Sequence, residues 1–150
     1  MSATTARRDT SLRPIVRLLD ANANRALEGL RVCEEIARFY CECPEGVRQM
    51  RALRHDVAAA VNRLPLSTAQ RLRARDSARD VGKASASDRI DTLPRLLLIN
   101  FQRAKESLRT LEECSRLLSL RRGADFQRLR FRTYELERDL VLKLAAVRHR

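Results

Sequence analysis

Two stretches of this chain carry the same polar groups in the same order. NANRALEGLRVCEE places Asn22, Arg25 and Glu28 on one segment, and NFQRAKESLRTLEE places Asn100, Arg103 and Glu106 on another. A guanidinium is a flat fork suited to phosphate or carboxylate, and a carboxamide can donate and accept hydrogen bonds at once. Asn22, Arg25 and Gly29 fall on one border of a helical face, and Asn100, Arg103 and Ser107 form the counterpart. Glycine in mid-helix costs about 1 kcal/mol relative to alanine, so Gly29 marks close approach by a backbone or a ligand. The small residue Ser107 at the matching place carries the same requirement for space.

Two more groups of charged residues have chemical potential. Glu34 and Glu112 sit beside the apolar stripe of their helices, where a carboxylate is costly unless an arginine or a metal meets it. In RARDSARDVGK, Asp76 and Asp80 lie among Arg73, Arg75, Arg79 and Lys83, with Gly82 as a turn. Acidic side chains that hold Mg²⁺ next to basic ones that hold phosphate are the parts of a nucleotide site. A solvated charged loop is the alternative. Asn24, Glu28, Arg31, Glu35 and Arg38 form a stripe nearly opposite the core, which reads first as a solvated face laced by i,i+4 pairs.

The elements that position these groups follow from the repeat. With an offset of 78, Asn22–Arg38 and Asn100–Arg116 share nine of seventeen residues, and the same offset pairs Gln49 with Gln127 and Arg54 with Arg132. The repeating unit is a helical hairpin, present twice at about residues 15–64 and 92–148. A helix is expected over 14–40, after a frayed tail at 1–13. Pro44 opens a second helix that ends at Leu64-Pro65. Asp91 or Thr92 caps a third, reaching about Ser119. Gly123 should break the chain, with Asp125 capping a fourth helix that carries Phe126, Leu129, Thr133, Leu136, Leu140, Leu144 and Val147 at helical spacing. Residues 65–91 form a long connection, with Ser67 and Gln70 as a capping box for a short helix. The expected fold is an all-α four-helix bundle with pseudo-two-fold symmetry, one domain over 14–150.

Composition narrows the function classes. The formal charge is +12, and only three of the 31 basic residues are lysines. A phosphorylated partner fits that excess. Nucleic acid is disfavoured, because the repeated phrase holds as many Glu as Arg and aromatic residues are only 4%. No apolar run is long enough to span a membrane and no secretory leader is legible. Cys33, Cys41, Cys43 and Cys114 lack zinc-like spacing, with only two histidines in the chain, and free thiols suit the cytoplasm. No GxxxxGK[ST], GxGxxG or GxSxG is present.

LLDANANRALEGLRVCEEIARF, MRALRH, RDSARDVGK, NFQRAKESLRTLEE and LRFRTYELE occur in that order over about residues 15–140. Together they resemble the small hydroxymethylpyrimidine phosphate kinase family, whose members occur alone or fused to thiamine-phosphate synthase. The resemblance implies ATP-dependent phosphorylation of 4-amino-5-hydroxymethyl-2-methylpyrimidine phosphate, with Mg²⁺ and thiamine-phosphate synthase as a partner. It leaves a homodimer open. On that basis Arg25, Arg31, Arg103 and Arg109 would clamp phosphates, and Glu34, Glu112, Asp76 and Asp80 would hold Mg²⁺. Asn22, Asn24, Glu28, Asn100, Glu106, Gly82 and Lys83 would line the ligand. Lys83 stands where the family pattern has Thr or Ser. The rival is a non-catalytic helical ligand- or RNA-binding module.

Overall fold

The computed structural model describes residues 3–84 and 86–147, with side chains from residue 12 to residue 146. Four long helices, α1 (Ala3–Phe39), α2 (Pro44–Asn62), α4 (Leu93–Arg116) and α5 (Leu120–Val147), account for most of it. A short α3 (Thr68–Ala74) and a single 3₁₀ turn at Ser77–Arg79 interrupt the connection from α2 to α4. There is no strand among the described residues. The expectation of an all-helical bundle therefore holds, including the short helix in the connection.

Each boundary has a local cause. Pro44 occupies the first turn of α2, where its missing N–H costs nothing, and the Cys43 Sγ accepts the Gly46 amide at 3.3 Å. The turn before it needs Glu42 at φ 47°, the left-handed region. The Thr92 hydroxyl accepts the Arg95 amide and opens α4. Ser67 and Gln70 form a complete capping box on α3, as their spacing predicts.

Three boundaries differ from expectation. First, α1 begins at Ala3 and runs through Pro14. A proline removes one backbone hydrogen bond and can kink a helix, but it does not bar helical residues before it. Residues 1–2 and 148–150, which the expected tail and domain include, lie outside the described residues, as does the Val147 side chain.

Second, Gly123 does not break the chain but lies inside α5. A Cβ there would meet Arg116 Cγ at 2.6 Å and the Glu112 carbonyl oxygen at 3.1 Å. The glycine serves close packing of α5 on the end of α4. Third, Asp125 is consequently not a cap. Ser119 accepts the Arg122 amide at 3.4 Å, while Asp125, buried, pairs with Arg122, Arg128 and Arg63.

α1 packs against α2 and α4, and α5 packs against α4 and α2, which closes the bundle. α3 rests on α1. The expected stripes are the core: Ala26, Leu30, Cys33 and Ala37 on α1, and Ala104, Leu108, Leu111 and Ser115 on α4, are fully buried. Phe101, Phe126, Leu53, Val57 and Leu140 join them. The Cys33 thiol donates weakly to the Leu97 carbonyl, and Gly29 lies against Asn100 and Ala104. Moving back along α1 therefore moves forward along α4, so the two run antiparallel.

Candidate functional site

The antiparallel contact of α1 and α4 leaves a cleft of about 660 Å³. Its walls are the repeated residues: Asn22, Arg25, Glu28 and Gly29 from α1, and Asn100, Arg103, Glu106 and Ser107 from α4, with Val32 and Thr110 at the end. A Cβ on Gly29 would lie 3.1 Å from the Asn100 carbonyl oxygen. The space that glycine leaves is thus taken by the neighbouring helix, which fixes how near the two walls stand.

The floor and the rim differ in character. Asn22, Asn100 and Ser107 are 7%, 5% and 5% exposed. Asn22 Nδ2 donates to the Leu18 carbonyl and Asn100 Nδ2 to the Leu96 carbonyl, each at 2.9 Å. A carbonyl only accepts, so one N–H of each carboxamide is committed to its own helix and the second is left over. Each Oδ1 is left as an acceptor with no protein partner among the described residues, and so is the Ser107 hydroxyl. These oxygens are not buried atoms lacking a partner, since water reaches them from the cleft, and together they present three acceptors to whatever enters it. At the rim Arg25, Arg103, Glu28 and Glu106 are exposed. Neither arginine forms an ion pair or hydrogen bond with the described residues. Glu106 accepts from Gln102 at 2.9 Å.

The other candidate residues lie elsewhere. Arg31 pairs with Glu35 at 2.8 Å and Arg109 with Glu113 at 3.1 Å, on the outer faces of α1 and α4. These are the i,i+4 bridges the charge pattern suggested, and neither guanidinium lines the cleft. Glu34, 1% exposed, receives Arg51 Nε at 3.1 Å and Arg54 Nε at 2.8 Å from α2. Burial pushes its carboxyl upward, but the hydrogen bonds from Arg54 and Arg51 and the charges of Arg54 and Arg31 outweigh that and hold it below the usual carboxylate value. Glu112 receives Arg130 Nε at 2.8 Å from α5. Of the two partners a buried carboxylate there allowed, the structure supplies arginine. Both carboxylates, the expected Mg²⁺ holders, form ion pairs here that brace each hairpin.

Asp76 and Asp80 are likewise not in the large cleft. With Asn24, Arg17, Asp20, Ala21, Arg75 and Ser77 they border a separate recess of about 130 Å³. Their oxygens serve the loop itself: Asp76 caps the Arg79 amide at 3.3 Å and Asp80 accepts the Gly82 amide at 2.8 Å. Lys83 is exposed and donates to the Ala78 carbonyl at 2.6 Å. No three His, Cys, Asp or Glu side chains among the described residues are placed together to hold a metal.

Several contributors escaped sequence reasoning. Arg75 Nε and Nη2 hold Asp20, 5% exposed, at 2.8 and 3.0 Å, and this fork ties the connection to α1. The braces Arg51, Arg54 and Arg130 were hidden because a constant offset of 78 fails in the second helix of each hairpin. Arg132, the offset partner of Arg54, pairs with Asp56, while Arg130 takes the carboxylate. Spacing within each hairpin was the usable signal: Glu34 meets residues 17 and 20 positions on, and Glu112 meets one 18 positions on.

The chain is similar in sequence to known proteins. The chain is 36% identical over 142 residues to thiamine-phosphate synthase of Rhodopirellula baltica, covering 92% of this chain and 37% of that protein. It is 40% identical over 130 residues to thiamine-phosphate synthase of Synechocystis, covering 85% and 36%. The enzyme of the same name from Gloeobacter violaceus is 36% identical over 143 residues, covering 89% and 40%. The chain thus spans little more than a third of the length of these relatives. No solved structure matches it. The kinase expectation is overturned by these relatives: each is named for thiamine-phosphate synthesis, and none for phosphorylation of a pyrimidine phosphate. Among the described residues no helix is long and apolar enough to cross a membrane. The thiamine-biosynthetic link survives the correction, because residues 17–139 match the ThiD2 family and the chain belongs to it.

Proposed function

We propose that this chain is a helical ligand-binding domain in the synthesis of thiamine phosphate, and that it holds a phosphorylated thiamine precursor or product in the α1–α4 cleft. One observation carries this: two unpaired guanidiniums, Arg25 and Arg103, stand over a floor of unpartnered Asn22, Asn100 and Ser107 oxygens. Phosphate takes the guanidinium forks. A ring amino group supplies the donor that the two Asn Oδ1 atoms lack. The cleft volume lies within the usual range for small-molecule sites, roughly 300–1,000 Å³.

Thermal melting and titration calorimetry test the proposal. An organic phosphate at a hundredfold excess over its Kd stabilises a protein by about 2.7 kcal/mol. In a chain of this size that is a rise of roughly 5–10 °C in Tm. Arg25→Ala and Arg103→Ala should each weaken binding at least about tenfold, or about 1.4 kcal/mol. Because neither side chain has a protein partner, both variants should melt close to the wild type. If thiamine phosphate and its phosphorylated precursors leave Tm unchanged, or if both variants bind as the wild type does, the proposal fails.

A further inference from the structure

The charge at the cleft rim is balanced in a protein that is otherwise strongly basic. Arg25 and Arg103 supply two positive charges and Glu28 and Glu106 two negative ones, so the four sum to zero against a chain charge of +12. Arg25–Glu28 and Arg103–Glu106 are arginine-to-glutamate pairs three residues apart. The same order and spacing on the same helices does produce contacts elsewhere, at Arg31–Glu34 (3.8 Å) and Arg109–Glu112 (3.6 Å). At the rim neither pair closes to within 4.0 Å. None of the four charges is neutralised by an ion pair among the described residues, although Glu106 already accepts one hydrogen bond from Gln102.

A ligand that is purely anionic gains two arginines here and is repelled by two carboxylates. A ligand that carries a cation as well as a phosphate satisfies both pairs. We propose that Glu28 and Glu106 are specificity determinants that select a phosphate ester bearing a positively charged heterocycle, and that the ligand class is thiamine phosphate itself. Its thiazolium ring has a permanent positive charge for the carboxylates, its phosphate suits Arg25 and Arg103, and its aminopyrimidine N–H₂ suits Asn22 and Asn100 Oδ1. The inference rests on the ligand-binding role proposed above and adds that the domain retains the end product of the synthesis named in its relatives.

The test is calorimetry on the full chain with thiamine phosphate, with thiamine, and with phenyl phosphate as an organic phosphate without a cation. It is repeated on Glu28→Gln/Glu106→Gln, whose exposed, isosteric replacements are checked by thermal melting. The wild type should bind thiamine phosphate at least about tenfold tighter than either other probe. The double variant should lose about tenfold for thiamine phosphate and gain for phenyl phosphate, so the preference collapses from both sides. If the variant tightens both phosphates alike, the carboxylates merely repel anions; the selectivity proposal is then overturned while phosphate binding stands. If phenyl phosphate binds the wild type well only with added Mg²⁺, and the variant abolishes that, the carboxylates hold a metal ion and the proposal is again overturned. If no probe binds the wild type, the ligand-binding role falls first and the selectivity falls with it.

Discussion

Glu34→Gln is the perturbation that most directly tests the brace between α1 and α2. The substitution keeps shape and removes charge. The side chain is 1% exposed and takes the Nε protons of two arginines. Removing one member of a buried pair commonly costs about 3–5 kcal/mol, mostly through the charge left behind. Here the charges left behind are not deeply buried, since the Arg51 side chain is 49% and that of Arg54 23% exposed. Both can turn to water, so the cost falls to about 2–3 kcal/mol, or roughly 5–10 °C in Tm. The pH dependence has a definite sign. The folded carboxyl is held below its ordinary value, so its contribution is fully present above the unfolded value of about 4.5 and is lost as pH falls through the folded one. Urea unfolding of both proteins between pH 7 and pH 3 should show a gap that narrows on acidification. A gap under about 0.5 kcal/mol at pH 7, or one that stays constant to pH 3, would refute the argument. So would a gap that appears only with Mg²⁺ present, since that would return Glu34 to the metal.

Gly123→Ala gains helix propensity but forces a Cβ against Arg116 Cγ and the Glu112 carbonyl; overpacking of about 1–3 kcal/mol should outweigh the gain of about 1 kcal/mol, giving a lower urea midpoint. The Cys43 thiol is pushed up by burial, but the Gly46 amide and Lys143, whose Nζ is 3.1 Å from Sγ, pull it below its usual value. Cys41 is pushed up by burial and by Cys43. Iodoacetamide should therefore alkylate Cys43 before Cys41, and Lys143→Met should move the pH midpoint of that rate upward, as read by mass spectrometry of the peptides. Arg75→Ala strands the buried Asp20 carboxylate and frees the connection after α3, so limited proteolysis should cut within residues 75–91 at least about tenfold faster than in the wild type.

The fold was legible because hydrophobic spacing, caps and the repeat agreed with one another. The stripes Ala26–Leu30–Cys33 and Ala104–Leu108–Leu111 are the core, and the Ser67–Gln70 box caps its helix. Gly123 misled because a glycine that serves close packing looks, in sequence, like one that ends a helix. The cleft was legible only in part. Asn22, Arg25, Asn100 and Arg103 could be singled out because a repeat displays what both copies keep. Arg31 and Arg109 are repeated as faithfully, yet they lie on the outer faces, because a repeat marks shared structure and not shared contact with a ligand. The arginines that answer Glu34 and Glu112 come from α2 and α5, and contacts between helices have no signature in the spacing of one helix.

The repeated phrase therefore has two jobs, separated by angle around the helix. Its Asn, Arg and Gly or Ser residues face the opposite copy across the α1–α4 contact. Its second glutamate faces the return helix of its own hairpin, where arginines hold it. The two jobs depend on each other. Gly29 sets how close the cleft walls stand, and the buried carboxylate–arginine hydrogen bonds tie each wall to its return helix. These ion pairs also dispose of charge. Glu34 and Glu112 engage Arg51, Arg54 and Arg130, whereas Arg25 and Arg103 have no carboxylate assigned to them by the fold. In a chain with 31 basic residues, what distinguishes two arginines is not their number but that the structure leaves them open above a polar floor.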